Sequence, residues 1–139
     1  MTNQIVVAGA IIKGSEVLVA QRNRPPELAG RWELPGGKVT SGETESAALA
    51  RELAEELGVD VAVGDRLGDD VALNETTTLR AYRVRLLGGQ PHPRDHQALR
   101  WVTAAELRSV DWVPADRAWL PDLAQALRVL SARRACPNE

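Results

Sequence analysis

Residues 37–59 read GKVTSGETESAALARELAEELGV, and the fold is decided in this stretch. Thr44 is a residue type that caps a helix start, and Gly58 is one that ends a helix. On a 3.6-residue wheel Leu49, Leu53 and Leu57, with Ala47, Ala50 and Ala54, share one broad face. The spacing therefore predicts a helix over 44–57 that lays this face on a core. Glu52, Glu55 and Glu56 stand at i, i+3 and i+4 and share a different face. The like-charge pair Glu52 and Glu56 destabilises an isolated helix by about 0.2–0.5 kcal/mol. Arg51, four residues before Glu55, relieves part of that repulsion. Two explanations stand at this point: a solvated acidic face, or a place for a cation. Clustered carboxylate oxygens suit hard divalent cations such as Mg²⁺, which keep waters and bridge to substrate phosphates. A carbonyl from the glycine-rich turn Pro35-Gly36-Gly37 would add another oxygen.

Outward from the helix, the chain reads as strands. Gln4 to Lys13, dense in Ile, Val and Ala, predicts a buried strand, and Glu16 to Arg22 a second one. Pro25-Pro26 and Gly30 break residues 23–31 into a loop, and Trp32 to Leu34 is short and extended before Pro35. Val59 to Val63 and Asp65 to Leu73 predict two strand segments with glycine breaks, and Thr76 to Leu87 a strong strand. Gly88 to Arg94 is a loop and Leu99 to Val102 a short strand. Thr103 to Leu107 is a helical turn, with Thr103 and Glu106 at capping-box positions. Ala115 to about Arg133 predicts a second long helix bent at Pro121. Neighbouring strands with only two long helices give an α/β class, a mixed sheet flanked by helices. The expectation is one domain over 1–134, with 135–139 as a frayed tail.

Bulk properties narrow the function. The chain has 139 residues, 44% hydrophobic and 26% charged, enough for a folded core. A net charge of −2 argues against a nucleic-acid polymer as partner, though not against a small polyanion held by metal and a few arginines. Cys136 is the single cysteine, so an internal disulfide is excluded. The first residues have no basic segment before their apolar run, and no stretch approaches the ~20 apolar residues of a membrane span. The expected location is the cytoplasm.

From Gly37 the residues run Gly, five others, Glu43, seven others, then Arg51-Glu52-Leu53-x-Glu55-Glu56-x-Gly58-Val59. This resembles the Nudix box, G-x5-E-x7-R-E-U-x-E-E-x-G-U with U aliphatic, at every specified position. The preceding Trp32-Glu33-Leu34-Pro35-Gly36-Gly37-Lys38 also resembles the family. The resemblance implies a Nudix α/β/α sandwich, with a loop-helix-loop motif that hydrolyses a nucleoside diphosphate linked to another group. It implies Mg²⁺, or Mn²⁺, held by Glu52, Glu55 and Glu56 with backbone oxygen from Gly36 or Gly37. By position Glu52 is first choice for orienting or deprotonating the attacking water and Glu56 second. Glu43 supports the metal site, and Arg51 orients the carboxylates without touching substrate.

Within the family the chain looks like small MutT-like nucleoside triphosphate pyrophosphohydrolases, including those for cytidine nucleotides. Arg22 and Lys38 stand where those enzymes place phosphate-binding cations, and Glu33 joins them in the substrate-binding set. Asp95, in Arg94-Asp95-His96-Gln97, matches the loop that carries an additional acidic metal or catalytic residue. Asp116, in Val113-Pro114-Ala115-Asp116, matches the segment that reads the base. Without the resemblance, Arg22 is a strand-end cation, Asp95 a turn residue, Asp116 a first-turn acid and His96 a surface histidine. Trp32, Trp101, Trp112 and Trp119 are core or pocket-lining. An ionised Asp116 only accepts hydrogen bonds, which suits the cytosine amino group or the amide and amino edge of guanine. The implied reaction converts dCTP, CTP or 5-methyl-dCTP, and 8-oxo-dGTP, to the monophosphate and pyrophosphate, as nucleotide pool sanitation. The alternatives are hydrolysis of ADP-ribose or dinucleoside polyphosphates, and a nucleotide-binding module without catalysis. Monomer and homodimer are equally open.

Overall fold

A computed structural model describes residues 3–134, with side chains to Arg128. Its strands are β1 (Gln4–Lys13), β2 (Glu16–Gln21), β3 (Trp32–Glu33), β4 (Gly36–Lys38), β5 (Asp60–Asn74), β6 (Thr77–Gly88) and β7 (Ala98–Thr103). The helices are α1 (Glu45–Leu57) and α2 (Leu120–Arg134), with 3-10 segments at Ala104–Ser109 and Pro114–Trp119. The expected tail at 135–139, with Cys136, lies outside the described residues.

β1 organises the sheet. It pairs in parallel with β6 from Gln4↔Thr77 to Ile11↔Val84 and antiparallel with β4. At its far end, Ile12 and Lys13 pair antiparallel with β2. β2 carries β3 and β7, and β5 runs antiparallel to β6. One parallel pairing among antiparallel ones makes the sheet mixed, as expected.

Side chains alternate across a strand, so a strand buried on both faces needs a layer on each. In β1, Val7 and Ile11 meet α1 residues Ala48, Leu49, Leu53 and Leu57. Ala8 and Ala10 join the opposite core of Leu107, Trp112, Trp119, Leu123 and Leu127. That alternation produces the α/β/α sandwich. Gly9 faces α1, and a Cβ there would stand 3.2 Å from Leu53 and Val84.

α1 starts and stops where the caps predict. The Thr44 side chain accepts from the Ala47 N–H, and Gly58 closes the helix at φ 72°. Its buried face is narrower than the wheel suggests: Ala48 is fully buried, while Ala47 and Ala54 lie in solvent. The predicted segments 59–63 and 65–73 are one irregular strand, β5, whose register shifts absorb the glycines. The predicted helix from Ala115 bent at Pro121 is a 3-10 segment followed by α2, and Pro121 falls in the first turn of α2. Proline is tolerated there because the first-turn N–H groups have no helical partner. Gly36 and Gly37, read as part of a turn with Pro35, instead form a strand with Lys38, paired with β1.

Candidate active site

The site is built from α1, β4 and two loops. β4 pairs Gly37 with Val7 and Gly36 with Ala8 at the sheet edge facing α1. A Cβ at Gly36 would fall 1.9 Å from the Val7 carbonyl oxygen, and one at Gly37 would fall 2.3 Å from Cδ of Glu52. Side-chain-free backbone is therefore what lets the Glu52 carboxylate lie against β4.

Arg51 binds the acidic cluster together. It donates to both oxygens of Glu43, at 2.6 and 2.9 Å, and to the Lys38 carbonyl at 3.1 Å. One guanidinium nitrogen bridges Glu52, at 3.3 Å, and Glu55, at 2.9 Å. Arg51 and Thr40 hold the Glu43 carboxyl down at about 2. Glu43 is thus joined to Glu52 and Glu55 through the Arg51 guanidinium. Glu52 and Glu56 are half-buried, whereas Glu55 turns its side chain, 60% exposed, to solvent. Burial raises Glu52 above the usual carboxylate range. Burial, followed by the charges of Glu52, Glu33 and Asp95, pushes Glu56 up to about 8.

Glu52 and Glu56 suit a hard divalent cation: oxygen donors, partly desolvated, mutually repelling, with Glu52 beside backbone that a Cβ would fill. Among the described residues, three such side chains are not yet gathered at metal-ligand spacing. Arg51 stands between Glu52 and Glu55 instead.

Glu56 opens into a cleft of about 130 Å³ with Gly36, Asp95, Glu33, His96, Arg22, Asn23 and Arg24. Asp95 is delivered by a loop fastened to the end of α1. His92 and Arg94 donate backbone N–H groups to the Leu57 and Glu56 carbonyls, and the Arg94 guanidinium packs over Gly58. No basic residue occupies the last turn of α1, so Arg94 supplies the cation that a helix C-terminus favours. Asp95 pairs with Arg24 at 3.0 Å, both well exposed.

A second cavity, about 580 Å³, lies across β4 and falls in the range of small-molecule sites. Val6, Ala8, Leu28, Leu34, Leu73, Leu79 and Pro114 give it an apolar lining. Arg22, Glu33, Gly36, Lys38 and Asp116 supply its polar groups. Arg22, Glu33 and Gly36 border both spaces.

Asp116 does not cap its own 3-10 segment. It is 4% exposed, and its Oδ2 accepts the Leu34 N–H at 2.8 Å. Burial pushes its carboxyl up to about 7, so near neutral pH it exists in both the accepting and the donating form. His96 is not the surface histidine expected. It is buried, with Nε2 2.9 Å from Glu33, because the pairing of β7 with β2 and the bond from the Gln97 N–H to the Gln21 carbonyl hold its loop beside the end of β2.

Every expected site residue borders one of the two spaces or the Arg51 cluster. The sequence reading missed Asn23, Arg24, Leu28, Leu73, Arg94 and the buried state of His96. The Pro25-Pro26 loop was the signal for the first three, because loops over a sheet edge carry binding groups.

The NUDIX domain profile matches residues 3–123. A Mycobacterium tuberculosis relative, provisionally named 8-oxo-dGTP diphosphatase 2, is 77% identical over 91% of this chain and 92% of its own. The CTP pyrophosphohydrolase of Escherichia coli is 36% identical over 93% of this chain and 94% of its own. The solution structure of the E. coli ORF135 protein superposes with a TM-score of 0.75 at 33% identity, covering 100% of this chain and 96% of that one. The MutT NUDIX hydrolase from Burkholderia pseudomallei gives a TM-score of 0.72 at 30% identity, over 88% and 98%. With the box intact, the sandwich formed and the acidic cluster in place, the chain belongs to the Nudix family and is a MutT-like hydrolase of that family.

Proposed function

We propose that this hydrolase converts nucleoside triphosphates to the monophosphate and pyrophosphate, acting on dCTP, CTP or 5-methyl-dCTP and on 8-oxo-dGTP. The observation that carries the reading is the shared wall: Arg22, Glu33 and, from β4, Gly36 border both a cleft of carboxylates and arginines and an apolar cavity with Asp116. A triphosphate has the matching two halves. The names of the relatives, an 8-oxo-dGTP diphosphatase and a CTP pyrophosphohydrolase, agree with both base classes.

Mg²⁺, or Mn²⁺ in its place, would be held by Glu52, Glu55, Glu56 and Asp95 with backbone oxygen of Gly36 or Gly37. When bound, the ion neutralises phosphate charge and lowers the pKa of its water. Glu52, seated against Gly37, orients the attacking water and takes its proton, and Glu56 is next in line for the same proton. The water oxygen attacks the β-phosphorus, and the bond from that phosphorus to the bridging α–β oxygen breaks. Arg22 and Lys38 hold the phosphates. Asp116 reads the base: ionised, it accepts from an amino group, and protonated, it also donates to a carbonyl or ring nitrogen. The reaction fits removal of damaged or surplus nucleotides from the cytoplasmic pool. The substrate is a free nucleotide, not a nucleic-acid polymer.

A panel of canonical and modified triphosphates with Mg²⁺, with products identified, tests the reading. Monophosphate plus pyrophosphate from cytidine or oxidised guanine substrates is expected. Turnover confined to ADP-ribose or dinucleoside polyphosphates overturns it.

A further inference from the structure

Glu33 has both carboxylate oxygens taken by protein. Oε1 accepts from Arg22 at 2.8 Å, and Oε2 lies 2.9 Å from Nε2 of His96. The side chains are 31% exposed for Arg22, 17% for Glu33 and 5% for His96, so the chain of contacts runs inward from the cavity wall. Its three members come from the residue just after β2, from β3 and from the loop before β7. The His96 loop is itself fixed, since Gln97 donates to the Gln21 carbonyl through its backbone and to the Arg22 carbonyl through its side chain.

His96 is an odd residue for a merely structural position. Nδ1 is buried without a hydrogen-bond partner among the described residues. A carboxylate paired with Arg22 accepts, so Nε2 carries a proton, and Nδ1 is left without a partner. Burying an unpaired polar atom is unfavourable, and an apolar side chain would fill the same space without that penalty. The imidazole is worth keeping for the one bond it makes. That bond ends on the carboxylate that aims Arg22, and Arg22 borders both the cleft with Glu56 and the apolar cavity.

We propose that His96 is a positioning residue: through Glu33 it locks the Arg22 guanidinium where it grips the nucleotide's phosphates between the two spaces. Glu33 is then a positioning residue too, not a direct substrate ligand. The inference rests on the triphosphate reading for the identity of what Arg22 grips. Arg22 on a flexible stem samples many rotamers, and a carboxylate held from behind removes that freedom before substrate arrives.

The test is a double-mutant cycle on the full chain, read as kcat and KM for dCTP with Mg²⁺ and as the Kd of a non-hydrolysable dCTP analogue. His96→Ala is expected to raise KM and Kd about tenfold with kcat little changed, as loss of binding shared by ground and transition states does. Arg22→Ala should do the same, and the double variant should be no worse than Arg22→Ala alone. His96→Gln, which can still donate to Glu33, should recover most of the loss. Additive losses, or a fall in Tm with KM and Kd unmoved, overturn the proposal. If His96→Ala does not fold, Glu33→Gln is measured in the same cycle against Arg22→Ala, and additivity there overturns it equally. A wild-type chain that turns over no triphosphate defeats the proposed function, while the Kd cycle still decides the positioning role.

Discussion

The Glu52 carboxylate lies so close to Gly37 that a single added carbon on residue 37 would stand 2.3 Å from its Cδ. Glycine at that position is a requirement of the neighbouring helix. Gly37→Ala is expected to push Glu52 off β4 and lower kcat by about 10²-fold, the scale of a 1 Å misplacement. A melting temperature within a few degrees of wild type should accompany the loss. Full turnover in this variant would mean that the seat of Glu52 has no bearing on the chemistry.

Glu56→Gln keeps the volume and removes the ionisable carboxyl. The half-buried site loses a repelling carboxylate, so the fold should persist and melt at or above the wild-type temperature in chelator. Turnover should drop by about 10²–10⁴-fold, the usual contribution of a positioned acid–base group. Pyrophosphate release measured beside a melting curve checks both halves, and near-normal release would remove Glu56 from the machinery.

Metal addition should stabilise the folded chain. Neutralising a cluster that repels itself raises the melting temperature, and at a concentration one hundred times Kd the gain is about 2.7 kcal/mol. Chelation should reverse the gain and abolish turnover. An undiminished gain in a chain carrying both Glu52→Gln and Glu56→Gln would place the cation elsewhere.

Asp116 links stability to pH with a definite sign. Its carboxyl titrates at about 7 in the fold against 3.8 ordinarily. Below both values the folded and unfolded chains carry the proton alike. Between them only the folded chain keeps it, so this residue's contribution is lost as pH rises from about 4 to 7. Relative to Asp116→Asn, which has no such proton, wild type should lose stability over that window, with an upper bound on the order of 4 kcal/mol. Urea midpoints at pH 4.5 and 8 measure the difference, and a constant gap would mean the carboxyl titrates normally.

The same exchange probes base choice. Asn both donates and accepts at every pH. Asp116→Asn should therefore change the ratio of dCTP to 8-oxo-dGTP turnover and flatten its pH dependence. An unchanged ratio would mean the base is read elsewhere.

Local signals carried much of this fold. Thr44 and Gly58 bounded α1 because caps act within one turn. The double burial of β1 was legible in its unbroken apolar run. The helix start near Ala115 was misread because a 3-10 turn and an α-helix share the same early sequence signals, and Pro121 suits either a bend or a first turn. In the site, Arg51 and the glutamates were readable because their spacing is helical. The burial of His96 and the raised proton affinity of Asp116 were not. Both depend on what distant segments bring close: Leu34 reaches Asp116 across 82 residues, and Glu33 reaches His96 across 63.

β4 contains three residues, two of them glycines, and both working spaces border it. A route to new substrates through this strand would disturb the seat of Glu52 at the same time, so selectivity and rate are tied together there. Leu28 and Leu73 line the apolar cavity without belonging to the buried core, so changes there leave that seat alone. The strand that divides the two spaces is therefore the costly place to alter, and the exposed end of the apolar wall is the cheap one.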